Sequence, residues 1–154
     1  MTHTTRYQGA IVRDHQLLLI MHTEHASGRS YWVIPGGGIE PGESEEACVA
    51  REMLEETCLQ VQVERLLLDE PSPLDAVYQR RKTYLCRIVG GEAAPGYEPE
   101  ADASEKYAIT EVGWVDLRRP QSWTELLVRD PITYPMLQQV RAALGYVAAE
   151  NSPR

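Results

Sequence analysis

Apolar positions along the chain fall into short runs cut by turn-forming residues, and their spacing changes from the two-residue period of strands to a helical one and back. Residues 7–13 and 16–22 form two apolar-rich runs split by Asp14-His15, which predicts a β-hairpin. The longest uninterrupted apolar stretch, Leu17 through Met21, is far short of the ~20 residues that span a bilayer. It reads as a buried strand. Residues 31–34 offer a third strand, stopped by Pro35-Gly36-Gly37-Gly38. A second turn at Pro41-Gly42 leads to Ser44, an N-cap for a helix over 45–57 with Glu45 and Glu46 in its first turn. Strands are predicted over 61–68 and 77–89, with the polar stretch 69–75 between them, and a last strand over 111–117. Asp130-Pro131 suits the start of a helix that runs to Leu144 and stops at Gly145. Between the later strands, 90–104 is a long Gly, Pro, Ala and Glu-rich loop of the kind that often carries function.

These elements fit one domain over 1–147, followed by a tail over 148–154 that is expected to fray. A chain of 154 residues with 43% hydrophobic and 25% charged residues has enough apolar material for a core without disulfides. Cys48, Cys58 and Cys86 are odd in number and lack metal-site spacing, so they read as reduced packing residues. With 23 acidic against 15 basic residues, the net charge of −8 argues against a duplex nucleic-acid partner. The amino-terminal residues lack the apolar run of a secretory signal, and the expectation is a cytoplasmic protein without membrane contact. An anionic substrate would require positive charge from elsewhere, which points to a metal.

The chemistry concentrates in 37–59, GGIEPGESEEACVAREMLEETCL. Glu52, Glu55 and Glu56 share a helical arc of roughly 100°, while Ala47, Ala50 and Leu54 gather on the other side and are expected to pack on a sheet. Like charges at i and i+4 repel unless a cation lies between them. An all-oxygen donor set favours Mg2+ or Mn2+ over zinc. Arg51, one turn before Glu55, is placed to orient that carboxylate, and Glu43 could approach the same ion. The triple glycine would allow positive φ and bring a carbonyl such as that of Gly37 into the coordination sphere.

The order Gly37, five residues, Glu43, seven residues, Arg51-Glu52-Met53, Glu55-Glu56 and Leu59 resembles the signature of the Nudix hydrolases, of the MutT type. The match covers 23 of 154 residues. The approach Trp32-Val33-Ile34-Pro35-Gly36-Gly37 and the segment Glu111-Val112-Gly113-Trp114-Val115-Asp116-Leu117 are also similar to that family. Cys58 departs from it, standing where the pattern has glycine. The resemblance implies an α/β (α+β) fold, an α/β/α sandwich with a central mixed sheet. It also implies metal-dependent attack of water on a diphosphate, within a dNTP, an NTP, ADP-ribose or a similar nucleoside diphosphate derivative. Glu52, Glu55 and Glu56 would be catalytic and hold the metal with Gly37, and Arg51 would orient them. The general base is implied to be either a glutamate of this motif or one from a later loop, and outside the motif Glu105 ahead of Glu111 is the candidate. Arg29, Trp32 and Arg81 are candidate substrate contacts, with Tyr31 and Tyr78 as further stacking surfaces. Pro71, Pro73 and Tyr78 leave the substrate subgroup open, and His22 and His25 read as solvent residues. The alternatives are a Nudix-fold sensor that binds a nucleotide or sugar-nucleotide without cleaving it, and an isomerase acting on an isoprenoid diphosphate. Family members often form homodimers, and this chain identifies no interface for one.

Overall fold

A computed structural model of the chain describes residues 4–72, 77–97 and 106–146. The predicted hairpin forms from β1 (Thr5–Arg13) and β2 (Gln16–Glu24), with Asp14 and His15 both at positive φ (53° and 67°), the two-residue turn whose twist suits a hairpin. β3 (Ser30–Val33) and β7 (Tyr107–Asp116) pair antiparallel with β2. β6 (Arg80–Gly90) runs parallel to β1, and β5 (Gln60–Pro71) runs antiparallel to β6. Together with β4 (Gly36–Gly37) on β1, these strands make a seven-stranded mixed sheet.

The helices α1 (Glu45–Thr57) and α3 (Thr133–Ala143) cover opposite faces of this sheet. Side chains alternate along β2: Leu17 and Leu19 join a core with Met136, Leu137 and Val140 of α3, while Leu18 joins one with Val49 and Met53 of α1. Burial on both faces explains why β2 is continuously apolar rather than alternating. Each such side chain removed from water contributes about 1.5–3 kcal/mol. The layers are those of the expected α/β/α sandwich.

Several boundaries move for identifiable reasons. β5 runs on past residue 68 to Pro71, into the start of the stretch read as a polar break between strands, because Asp69 and Glu70 stand opposite Lys82 and Arg81 and ion pairs link Arg80 to Asp69 and Arg81 to Glu70. β6 accordingly begins at Arg80 rather than at residue 77. β7 begins at Tyr107, four residues early, since the end of β2 extends the ladder across a register shift at Met21/His22. The glycines after Pro35 form β4 instead of only ending β3. Asp130 initiates α3 as expected, its Oδ1 accepting from the N–H groups of Ile132 and Thr133, but the regular helix starts at Thr133. Gly145, at φ 91°, follows the end of α3. A 3₁₀ turn (Pro120–Ser122) and the short α2 (Glu125–Val128), capped by Thr124, are additions that the apolar pattern did not signal. Among the described residues no helix is long and apolar enough to cross a membrane.

The turn after α1 puts Cys58 at φ 65°, ψ 14°, the left-handed conformation that glycine adopts without steric cost. Cys58→Gly relieves on the order of 1–2 kcal/mol of steric cost, offset in part by the greater freedom of glycine in the unfolded chain. The expected outcome is a melting temperature that is unchanged or raised by about 2–4 °C, with turnover unaffected, measured by thermal unfolding and by assay of both proteins.

Candidate active site

α1 does not present its acidic face to solvent. Its buried positions are Cys48, Val49, Glu52, Met53, Glu56 and Thr57, whereas Ala47 and Leu54, expected to pack on the sheet, are exposed. The inward apolar contact comes from Val49 and Met53, and Glu52 and Glu56, each only 1% exposed, flank it. A buried carboxylate is costly unless it is paired or hydrogen-bonded. Glu56 Oε1 accepts from the Gly36 N–H at 2.9 Å, and Glu52 Oε2 accepts from Arg51 Nη1 at 3.1 Å.

β4 makes this packing feasible. A Cβ added at Gly36 would lie 2.7 Å from Gln8 Cα, and one added at Gly37 would lie 2.6 Å from the carboxyl carbon of Glu52. Neither glycine has positive φ. The glycines are therefore required by close approach, and not by the backbone freedom expected from the sequence.

Arg51 gathers the remaining acids. Its Nε and Nη2 donate to Glu43 Oε2 and Oε1 at 2.6 and 3.0 Å, its Nη1 donates to both Glu52 and Glu55 at 3.1 Å, and Nη2 also reaches the Gly38 carbonyl at 3.0 Å. The fork-on-fork pairing holds the Glu43 carboxyl below the usual carboxylate range and raises the guanidinium still higher. Glu43 is thus engaged by Arg51, where the sequence had suggested an approach to the ion. The pairing of Arg51 with Glu55 is present.

Among the described residues no three carboxylate, imidazole or thiol groups stand ready-clustered around a metal position. The donor chemistry nevertheless fits a hard divalent cation. Glu52, Glu55 and Glu56 lie within two helical turns, all of them oxygen donors, and the backbone of Gly37 approaches Glu52 so closely that no side chain could intervene.

Beside the carboxylates, a cleft of about 380 Å³ is lined by Arg6, His22, Arg29, Tyr31, Tyr78, Arg81, Tyr107 and Asp130, among others. Arg6 connects the two regions. Its Nη2 donates to the Ile34 carbonyl at 2.8 Å, its guanidinium lies 6.0 Å from the Tyr78 ring centre, and although burial alone would lower its pKa, the surrounding groups, Glu56 foremost and then Tyr78, Tyr107 and Glu52, together raise it. Arg29 and Arg81 reach this cleft. Arg29 lies over Tyr31 at 4.8 Å, and Arg81 is held by Glu70 at 3.0 Å. Trp32 does not reach it. Strand alternation turns Trp32 away from Tyr31 and over Gly113, into a separate cleft of about 290 Å³ with Trp114 and Trp123. Glu111 is an exposed residue of β7, while Glu105 and Pro73 lie outside the described residues, as does the tail 148–154.

His22, read as a solvent residue, is 5% exposed, stacked on Tyr107 at 4.0 Å and edge-on to Tyr31 at 5.6 Å. Burial and then the charge of Arg6 lower its pKa to about 3. Sequence reasoning missed Arg6, His22, Tyr107 and Asp130 as cleft residues. One available signal was the pair of polar residues Arg6 and Gln8, two apart at the head of an apolar strand.

A family model described as NUDIX domain matches residues 3–136, and the chain belongs to that family. A protein named NAD-capped RNA hydrolase NudC from Photobacterium profundum is 34% identical over 94 residues, 61% of this chain and 34% of its own length. The chain thus spans about a third of the length of that curated relative. A solved MutT NUDIX hydrolase from Burkholderia pseudomallei is 28% identical with a TM-score of 0.62, covering 89% of this chain and 97% of that one. An ADP-ribose pyrophosphatase from Streptococcus suis 89-1591 shares the fold at 21% identity and a TM-score of 0.65, covering 99% and 96%.

The neutral, buried state of His22 gives stability a pH dependence. An unfolded histidine takes up a proton near pH 6.5, whereas the folded one does so only near 3. The contribution is therefore complete above pH 6.5 and is lost as the pH falls toward 3, at up to about 1.4 kcal/mol per pH unit. Urea unfolding of the wild type and His22→Phe at pH 7 and 4.5 is expected to show the wild type losing about 2 kcal/mol more than the variant. Equal losses would mean that His22 is not held neutral.

Proposed function

We propose that this protein is a Mg2+- or Mn2+-dependent pyrophosphohydrolase that uses water to cleave the diphosphate linkage of a small nucleoside diphosphate derivative. The observation that carries the reading is the burial of Glu52 and Glu56 against Gly36 and Gly37, next to a cleft walled by arginines and tyrosines. Glu52, Glu55 and Glu56, with the Gly37 carbonyl, would hold the ion. A bound divalent cation neutralises phosphate oxygens and lowers the pKa of a coordinated water.

The chain's own residues do the positioning. Arg51 offsets part of the mutual repulsion of the glutamates and limits their rotamers through its bonds to Glu43, Glu52 and Glu55. Tyr31 and Tyr107 offer ring surfaces to a planar group, and Arg6, Arg29 and Arg81 supply positive charge along the cleft. Attack at phosphorus depends on such placement more than on a protein nucleophile. The thiols of Cys48 and Cys86 are unsuited to nucleophilic attack, since burial pushes both up to about 12. Glu105 is the candidate base that receives the proton of the attacking water. A cytoplasmic location suits such a substrate.

Phosphate release, coupled to pyrophosphatase and phosphatase, tests this across dNTPs, ADP-ribose, nucleotide sugars, dinucleoside polyphosphates and isoprenoid diphosphates, with and without Mg2+ or Mn2+. The expected outcome is metal-dependent hydrolysis that falls about a hundredfold or more in Glu56→Gln, a variant that keeps an acceptor for the Gly36 N–H. Turnover unaffected by that variant, or no hydrolysis of any substrate by the folded, metal-supplied protein, would overturn the proposal.

A further inference from the structure

α1 cannot complete its own C-terminal end. The last four carbonyls of a helix have no partner within it. Here the Cys58 N–H serves Leu54, at 3.1 Å, and the Leu59 N–H, which would otherwise continue to Glu55, is turned to Thr57 Oγ1 at 3.2 Å. The carbonyls of Glu55, Glu56 and Thr57 are instead taken by a segment distant in sequence. Tyr97 N–H donates to Glu55 at 2.9 Å, Gly96 N–H to Glu56 at 2.9 Å and Ala94 N–H to Thr57 at 3.0 Å.

This strap, which follows β6, touches α1 so closely that two of its residues have no room for a side chain. A Cβ at Gly96 would overlap the Glu55 carbonyl oxygen and lie 2.7 Å from its carbon. One at Gly91, itself at φ +84°, would lie 2.5 Å from the Cys58 oxygen. Ala93, between them, packs on the α1-side core. Two of the three carbonyls held in this way belong to residues whose carboxylates form the acidic site. Glu56 is pinned at both ends, its carboxylate by the Gly36 N–H and its carbonyl by the Gly96 N–H, each at 2.9 Å.

We infer that Gly96 is a positioning residue for the carboxylates, and that the strap from Gly91 to Tyr97 keeps the last turn of α1 from fraying, so that Glu55 and Glu56 are held for a divalent cation. The inference rests on the hydrolase reading above. It explains why a glycine stands at this distance from the acidic motif: only a residue without Cβ lets the backbone donors reach these carbonyls.

The test compares wild type, Gly96→Ala, Tyr97→Pro and Tyr97→Ala in the full chain, using Mn2+ as the probe. Tyr97→Pro deletes the donor to Glu55 at a residue that is 64% exposed, and Tyr97→Ala removes the side chain but keeps the donor. Mn2+ dissociation constants come from paramagnetic resonance of the free ion, and fraying of α1 from amide exchange at Cys58. Gly96→Ala and Tyr97→Pro are expected to weaken Mn2+ binding about tenfold or more and to speed exchange at Cys58, with Tyr97→Ala matching the wild type on both. Faster exchange with Mn2+ affinity within twofold of wild type would reduce the strap to a purely structural role and overturn the inference. If Gly96→Ala does not fold, Tyr97→Pro decides. A folded wild type that binds no Mn2+ would instead overturn the metal-dependent reading, and the strap's role with it, so the two failures are distinguishable.

Discussion

The burial of Glu52 and Glu56 on the inner side of α1 is the constraint around which the rest of the molecule is arranged. Carboxylates in such a place are tolerated only where donors and counter-charges meet them. The donors come from Gly36 of β4 and from Arg51, and the counter-charge is spread by Arg51 over Glu43, Glu52 and Glu55. β4 can supply its N–H only because its two glycines let the strand lie directly against the helix and against β1. Charge, backbone proximity and sheet pairing therefore depend on one another at this junction.

The sheet provides the rigid frame. Its central strand β2 is buried on both faces, and alternation along β2 and β3 assigns successive residues to different compartments. Tyr31 faces the cleft beside the carboxylates, whereas Trp32, one residue later, lines a separate cleft with Trp114 and Trp123. His22 ends the apolar run of β2 on the cleft side, stacked on Tyr107 of the neighbouring strand β7. The cleft is thus assembled from β1, β2, β3, β6 and β7 and from the turn ahead of α3, elements separated by most of the chain.

Local chemistry was enough to place many elements. The hairpin at Asp14-His15, the Ser44 cap, the extent of α1 and the stop at Gly145 follow from backbone conformation and short-range hydrogen bonding, which neighbouring residues govern. The spacing of the glutamates and Arg51 placed them on one helix, and the Arg51–Glu55 pair follows from a separation of four residues. The continuation of β5 through Asp69 and Glu70 was hidden because its charges are matched only across the ladder, by Arg80, Arg81 and Lys82.

By itself, the sequence determined the secondary structure around α1, the identity of the acidic motif and the family to which the chain belongs, since these depend on residue type at fixed short spacing. Tertiary structure alone decided that the acidic side of α1 faces inward, because helical periodicity defines faces without saying which one the sheet covers. It also decided that His22 is buried and neutral, that Arg6 stands between the carboxylates and the cleft, and that Trp32 lies elsewhere. Each of these outcomes is set by contacts between strands far apart in sequence, where burial and close approach, not local propensity, determine the energy.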